Sequence, residues 1–180
     1  MRRQDTGQSI VEMAFVMPLL VVLVFGIIDL GWYIFGYATV YQAARNGAET
    51  ASKLPPFAEW IEARGMDSSD PCMNTIRTQV QSQALIFFDD IWEHTTVSYP
   101  NGAASRNLFD RGPIQVSIKY TIEPLTPLWG FIPFGNDGKL TVSVTTRRSL
   151  QGLGNRPGSQ GEVTEDDAIP NGIACILPDK

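Results

Sequence analysis

The chain opens on one long apolar tract and then changes pattern. From Met13 to Ile28 there is no charged residue, and Asp29 is the sole charge before Arg45. An apolar run of about 20 residues is long enough to cross a hydrocarbon core of roughly 30 Å. The tract and its continuation predict one helix from Gln8 to about Ser52. At ~1.5 Å per residue such a helix spans about twice the bilayer core, so its C-terminal part must project beyond a membrane. Pro18 lies inside it and lacks an N–H, so it is expected to kink the helix or melt a turn. Gly26, Gly31 and Gly36 are either places of close backbone approach or residues that membrane helices tolerate.

Past Val40 the tract becomes amphipathic. Val40, Ala44, Gly47, Ala48 and Ala51 form a face of small residues, while Gln42, Arg45, Asn46, Glu49 and Lys53 are polar. A thin face of this kind admits close packing by a head domain or by another helix. Leu54-Pro55-Pro56 ends the helix, because a residue that precedes proline avoids the α region. Residues 57–70 are a connector, with Phe57, Trp60 and Ile61 in a short helical turn.

Ser69-Asp70-Pro71 reads as an N-cap with proline in the first turn. Apolar residues at Met73, Ile76, Val80, Ala84, Phe87 and Ile91 then predict a helix over 71–92 that lies on a sheet. Thr95 to Tyr99 is β-prone and runs into a Pro100-Asn101-Gly102 turn. Ile114, Val116, Ile118, Tyr120 and Ile122 alternate with polar residues and predict a half-buried strand. Leu140, Val142 and Val144 predict a second. The fold class is therefore α+β, with a long N-terminal helix and a head in which one helix packs on a short antiparallel sheet. The expected divisions are 1–7 as a polar leader, 8–53 as the helix and 54–180 as the head, with a flexible loop at 151–161.

Between the two long strands lies a segment, 124–135, in which three prolines accompany Leu125, Leu128, Trp129, Phe131, Ile132 and Phe134. The prolines forbid regular structure. Either the segment folds over the core, or it is exposed and meets a neighbour or a membrane surface, as large apolar patches do. Leu128, Trp129, Phe131 and Phe134 are the candidate interface residues.

Composition changes this picture little. The net charge of −5 at pH 7 argues against nucleic acid as a partner. Arg2 and Arg3 on the N-terminal side of the tract place that end in the cytoplasm and the head outside. That compartment permits disulfides, and Cys72 and Cys175 allow a single intramolecular pairing. The alternative is two free buried thiols. Two cysteines and a distant His94 do not make a zinc site. His94 is also the only histidine, and a surface or helix-end role outweighs a catalytic one. Asp89-Asp90 and Glu165-Asp166-Asp167 lack the spacing of a calcium loop, and no glycine-rich phosphate loop occurs. No enzyme activity, cofactor or metal is expected.

The chemistry that remains is at the start of the tract. Gly7 is followed by Gln8 and, five residues after the glycine, by the carboxylate of Glu12. An acid at the edge of a membrane segment is a functional hypothesis by default. This arrangement resembles the processing site of type IV prepilins, in which a membrane peptidase cuts after the glycine and leaves the apolar helix on the mature chain. The resemblance implies cleavage between Gly7 and Gln8. It also implies a filament in which Glu12 pairs with the new α-amino group at Gln8 of a neighbouring subunit. Gly26-Ile27-Ile28-Asp29-Leu30-Gly31 and Tyr41-Gln42-Ala43-Ala44-Arg45-Asn46-Gly47-Ala48-Glu49-Thr50-Ala51 narrow this, and look like the TadE-like family of tight-adherence pilus systems.

What that resemblance implies is a structural subunit of a type IV-like pilus or pseudopilus supporting adhesion or motility. Glu12, Pro18 and Asp29 are the residues expected to matter for assembly. The implied partners are copies of the chain or related pilins, a prepilin peptidase and an inner-membrane assembly platform. The chain is expected in the inner membrane first and in an extracellular filament afterwards. The rival is a membrane-anchored extracellular binding domain that never polymerises, with Glu12 incidental at the headgroup level.

Overall fold

The computed structural model describes residues 5–58, 61, 70–83, 88, 90–106, 112–130, 137–152 and 175, without the side chains of 5–9 and 130. The first helix, α1, runs Asp5–Lys53. It remains helical through Pro18, so no turn is melted there. One missing donor removes one bond from a long ladder.

The described chain forms two compact units. One comprises Met1–Tyr37 and Thr121–Thr141, the other Ala38–Tyr120 and Val142–Lys180. The last turns of α1 belong to the core of the second unit, and Val40, Ala43, Ala44, Ala48 and Ala51 are fully buried there. The small-residue face read from the sequence is covered by the chain itself. A Cβ at Gly47 would stand 2.6 Å from Val80 Cγ2 and 3.5 Å from Val116 Cγ1. Gly47→Val is accordingly expected to destabilise this unit by roughly 1–3 kcal/mol through overpacking. A thermal melt followed by circular dichroism measures it. An unchanged melting temperature would mean that Val80 yields without cost.

The second helix, α2, spans Pro71–Gln81. Asp70 is buried and caps it, accepting from the backbone N–H groups of Cys72 at 3.3 Å and Met73 at 3.2 Å. Cys72, Met73, Ile76 and Val80 are its buried face. The helix stops well short of the expected residue 92. Near its end the Ser82 hydroxyl donates back to the Gln79 carbonyl, and beyond it the chain makes tight turns. Ile91 N–H donates to Phe88 O, Glu93 N–H to Asp90 O and Thr95 N–H to Trp92 O. Turns that return every three residues place Phe88, Ile91 and Trp92 inward as a helix would. The periodicity was compatible with both. Ala84 and Phe87 lie outside the described residues.

Three strands form an antiparallel sheet in the order β1-β2-β3: β1 Thr95–Ser98, β2 Pro113–Ile122 and β3 Leu140–Ser149. β1 pairs with β2 in the register Thr95↔Ile118 to Ser98↔Gln115. Along β2 the burial alternates as the sequence predicts, with Ile114, Val116, Ile118, Tyr120 and Ile122 inward. Val142 and Val144 face inward on β3. Leu140 is exposed; it opens the strand and belongs to the first unit.

The end of α1 is held firmly. Its carbonyl at Ser52 accepts from the Gln151 N–H at 2.8 Å, which satisfies a group that a helix terminus otherwise leaves open. The Pro55 carbonyl accepts from Arg106 Nε at 3.0 Å, and the Arg106 guanidinium lies 3.9 Å from the Phe57 ring centroid. The Tyr99 hydroxyl donates to the Pro56 carbonyl at 2.7 Å, and burial pushes its ionisation well above the usual range. Cys72 and Cys175 are joined by a disulfide, with Cα atoms 5.2 Å apart, packed with Leu54 and Phe57. Trp60, most of the 151–161 loop and the acidic residues 162–167 lie outside the described residues.

Candidate functional site

The first unit holds the residues singled out for assembly. Between Ile10 and Ile28 the large apolar side chains of α1 stand exposed, from Phe15 at 79% to Val21 at 40%, except for the half-buried Phe25. A soluble surface helix buries one stripe and turns a polar face to water. From Met13 to Ile28 this one has no charged residue on any side, which suits apolar surroundings. The helix is long and apolar enough to cross a membrane. Glu12 sits on its exposed surface near one end, and Pro18 lines a shallow apolar groove with Ile10, Met13, Ala14, Met17 and Val21. Gly7 and Gln8 are helical in backbone, and their side chains lie outside the described residues.

Asp29 is different. It is 1% exposed, although its neighbours Ile28 and Leu30 are exposed. The segment after β2 surrounds it with donors. Asp29 Oδ1 accepts from the backbone N–H groups of Leu125 at 3.1 Å and Thr126 at 2.9 Å. Oδ2 accepts from the Thr126 hydroxyl at 2.5 Å and from Trp129 Nε1 at 2.9 Å. Four donors meet two carboxylate oxygens, which have about four acceptor positions between them. A buried acid without such partners is costly, so this cradle is what lets Asp29 end an apolar tract.

Two further bonds tie the same segment to α1. Trp32 Nε1 donates to the Glu123 carbonyl at 2.9 Å, and the Tyr33 hydroxyl donates to the Gly138 carbonyl. Gly138 has φ +73°, where a side chain is strained, and a Cβ there would lie 2.4 Å from Trp129 Cγ. The Trp129 ring thus rests against bare backbone while its N–H reaches Asp29. Lys139 and Glu123 close the rim with an exposed ion pair at 2.6 Å, which raises the Lys139 ionisation.

Of the candidate interface residues, Leu128 and Trp129 are half-buried within this unit. Phe131 and Phe134 lie outside the described residues. Sequence reasoning named Asp29 and Trp129 but did not join them. It missed Thr126, Trp32, Tyr33 and Gly138. The available signal was chemical: an isolated acid in an apolar tract, and indoles whose N–H groups need acceptors when covered.

Residues 7–49 match the family model described as TadE-like protein. No curated protein and no solved structure matches the chain. Over these residues the chain is similar to that family, in line with the motifs around Gly7, Asp29 and Arg45, and the family is a pilus-associated one.

Proposed function

We propose that the protein is a structural subunit of a tight-adherence-type pilus or pseudopilus, held in the inner membrane by α1 and then assembled through it into an extracellular filament. The observation that carries this is the apolar exposure of α1 from Ile10 to Ile28, within the TadE-like segment and with Glu12 at its head. Lipid can cover such a helix before assembly, and the helices of other subunits can cover it afterwards. The subunit is cut between Gly7 and Gln8 by a prepilin peptidase and delivered by an inner-membrane platform. In the filament the Glu12 carboxylate pairs with the α-amino group of Gln8 on a neighbour, because an acid drawn among apolar helices needs a cation. The filament serves adhesion or motility.

The test is the intact mass of the membrane-extracted protein beside that of a Gly7→Leu variant. The native chain is expected to lack Met1 to Gly7, and the variant to retain them, since a peptidase that requires a small residue before the scissile bond rejects leucine. A variant that loses the leader as readily overturns the processing step.

A further inference from the structure

We propose that the segment 124–130, together with Trp32 and Tyr33, forms a collar that seats in the headgroup layer of a phospholipid bilayer. The proposal rests on the membrane anchoring of α1 in the preceding section. It goes beyond it by giving the segment after β2 a surface and an occupant.

The first argument is distance. Ile10 to Ile28 spans about 28 Å of helix, close to the thickness of a hydrocarbon core. With one end of that tract at the cytoplasmic boundary, Asp29 and the next turn of α1 reach the other boundary. The second is residue type. Trp and Tyr concentrate at such boundaries, with polar tips satisfied and ring bodies among the acyl chains and headgroups. Here Trp32, Tyr33 and Trp129 each have the polar tip bonded inside the unit, to Glu123, Gly138 and Asp29, and each ring remains partly exposed.

The third argument is the backbone. Irregular chain is tolerated near hydrocarbon only where its polar groups are satisfied. Across 124–127 no N–H is left over. Pro124 and Pro127 have none, and those of Leu125 and Thr126 are both bonded to Asp29. Yet Leu125 directs its side chain outward at 57% exposure. A segment with its donors consumed and a leucine presented outward suits a boundary poor in water. The Glu123–Lys139 pair gives it a charged rim suited to headgroups.

The experiment uses the full chain in phosphatidylcholine–phosphatidylglycerol vesicles. Single nitroxide labels are placed at Leu19→Cys, Leu125→Cys and Lys119→Cys; all three native side chains are exposed, and the native cysteines are engaged in their disulfide. Collision rates with oxygen and with a water-soluble nickel complex report depth. The expected result is Leu19 deep in the hydrocarbon and Leu125 intermediate, with nickel collisions severalfold below those at Lys119. Leu19 deep with Leu125 as accessible to nickel as Lys119 overturns the collar and leaves anchoring intact. Leu19 open to nickel overturns the anchoring and the collar with it.

Discussion

Glu12→Leu is expected to leave the protein in the membrane and to abolish filaments. The substitution removes a charge from the edge of the apolar tract, so insertion becomes easier. It also removes the only carboxylate between Gly7 and Asp29. In an assembled bundle the α-amino group of Gln8 would then be drawn among apolar helices without a counter-ion. Breaking one partner of a buried ion pair costs roughly 3–5 kcal/mol, and the cost recurs at every subunit. Even the lower figure weakens each addition by more than a hundredfold at ~1.4 kcal/mol per tenfold. The measurement is the yield of sheared surface filaments beside the amount of subunit in the membrane fraction. Normal filaments from this variant would remove Glu12 from the assembly mechanism and favour a simple anchor.

Asp29→Ala is expected to release the segment after β2 from α1. Four donors lose their acceptor together: the N–H groups of Leu125 and Thr126, the Thr126 hydroxyl and the Trp129 indole. A hydrogen bond to a charged group contributes roughly 1.5–3 kcal/mol, and a buried donor left open costs a further amount of similar size. The effects do not add fully, because the freed segment can rearrange to meet water. A loss of about 3–5 kcal/mol in local stability is the expected scale for a buried carboxylate so partnered. Asp29→Asn should not rescue it, since an amide turns one acceptor oxygen into a donor that faces donors. Hydrogen exchange at Leu125 and Thr126 reports this directly, with protection in the native protein and near-free exchange in both variants. Retained protection in Asp29→Asn would mean that a single oxygen suffices.

These two acids differ in how much of their setting could be read from the sequence. The setting of Glu12 is local: a glycine five residues before it and an apolar run after it. The cradle of Asp29 was not legible, because its partners lie 96 to 100 positions away. Nothing in the spacing of a proline-rich segment says which helix it will meet. The same contrast runs through the fold. β2 was plain because its alternation persists over ten residues. The end of α2 was misplaced because helical turns and consecutive tight turns return a side chain to the core at nearly the same interval. The small face of α1 was seen, but small residues announce a close approach without naming its partner. Only Val80 and Val116 against Gly47 identify that partner as the chain's own second unit.

That small face also bears on the order in which the protein is made. Chains emerge N-terminus first, and α1 is complete before Val80, Val116 or Trp129 has been synthesised. A helix whose waiting surface consisted of leucines would offer a sticky patch during that interval. Ala43, Ala44, Gly47, Ala48 and Ala51 offer little apolar area until their partners arrive. Cys72 must wait longer still, because its partner lies 103 residues further on. The covalent lock between Cys72 and Cys175 thus cannot close until long after α1 and α2 have been made.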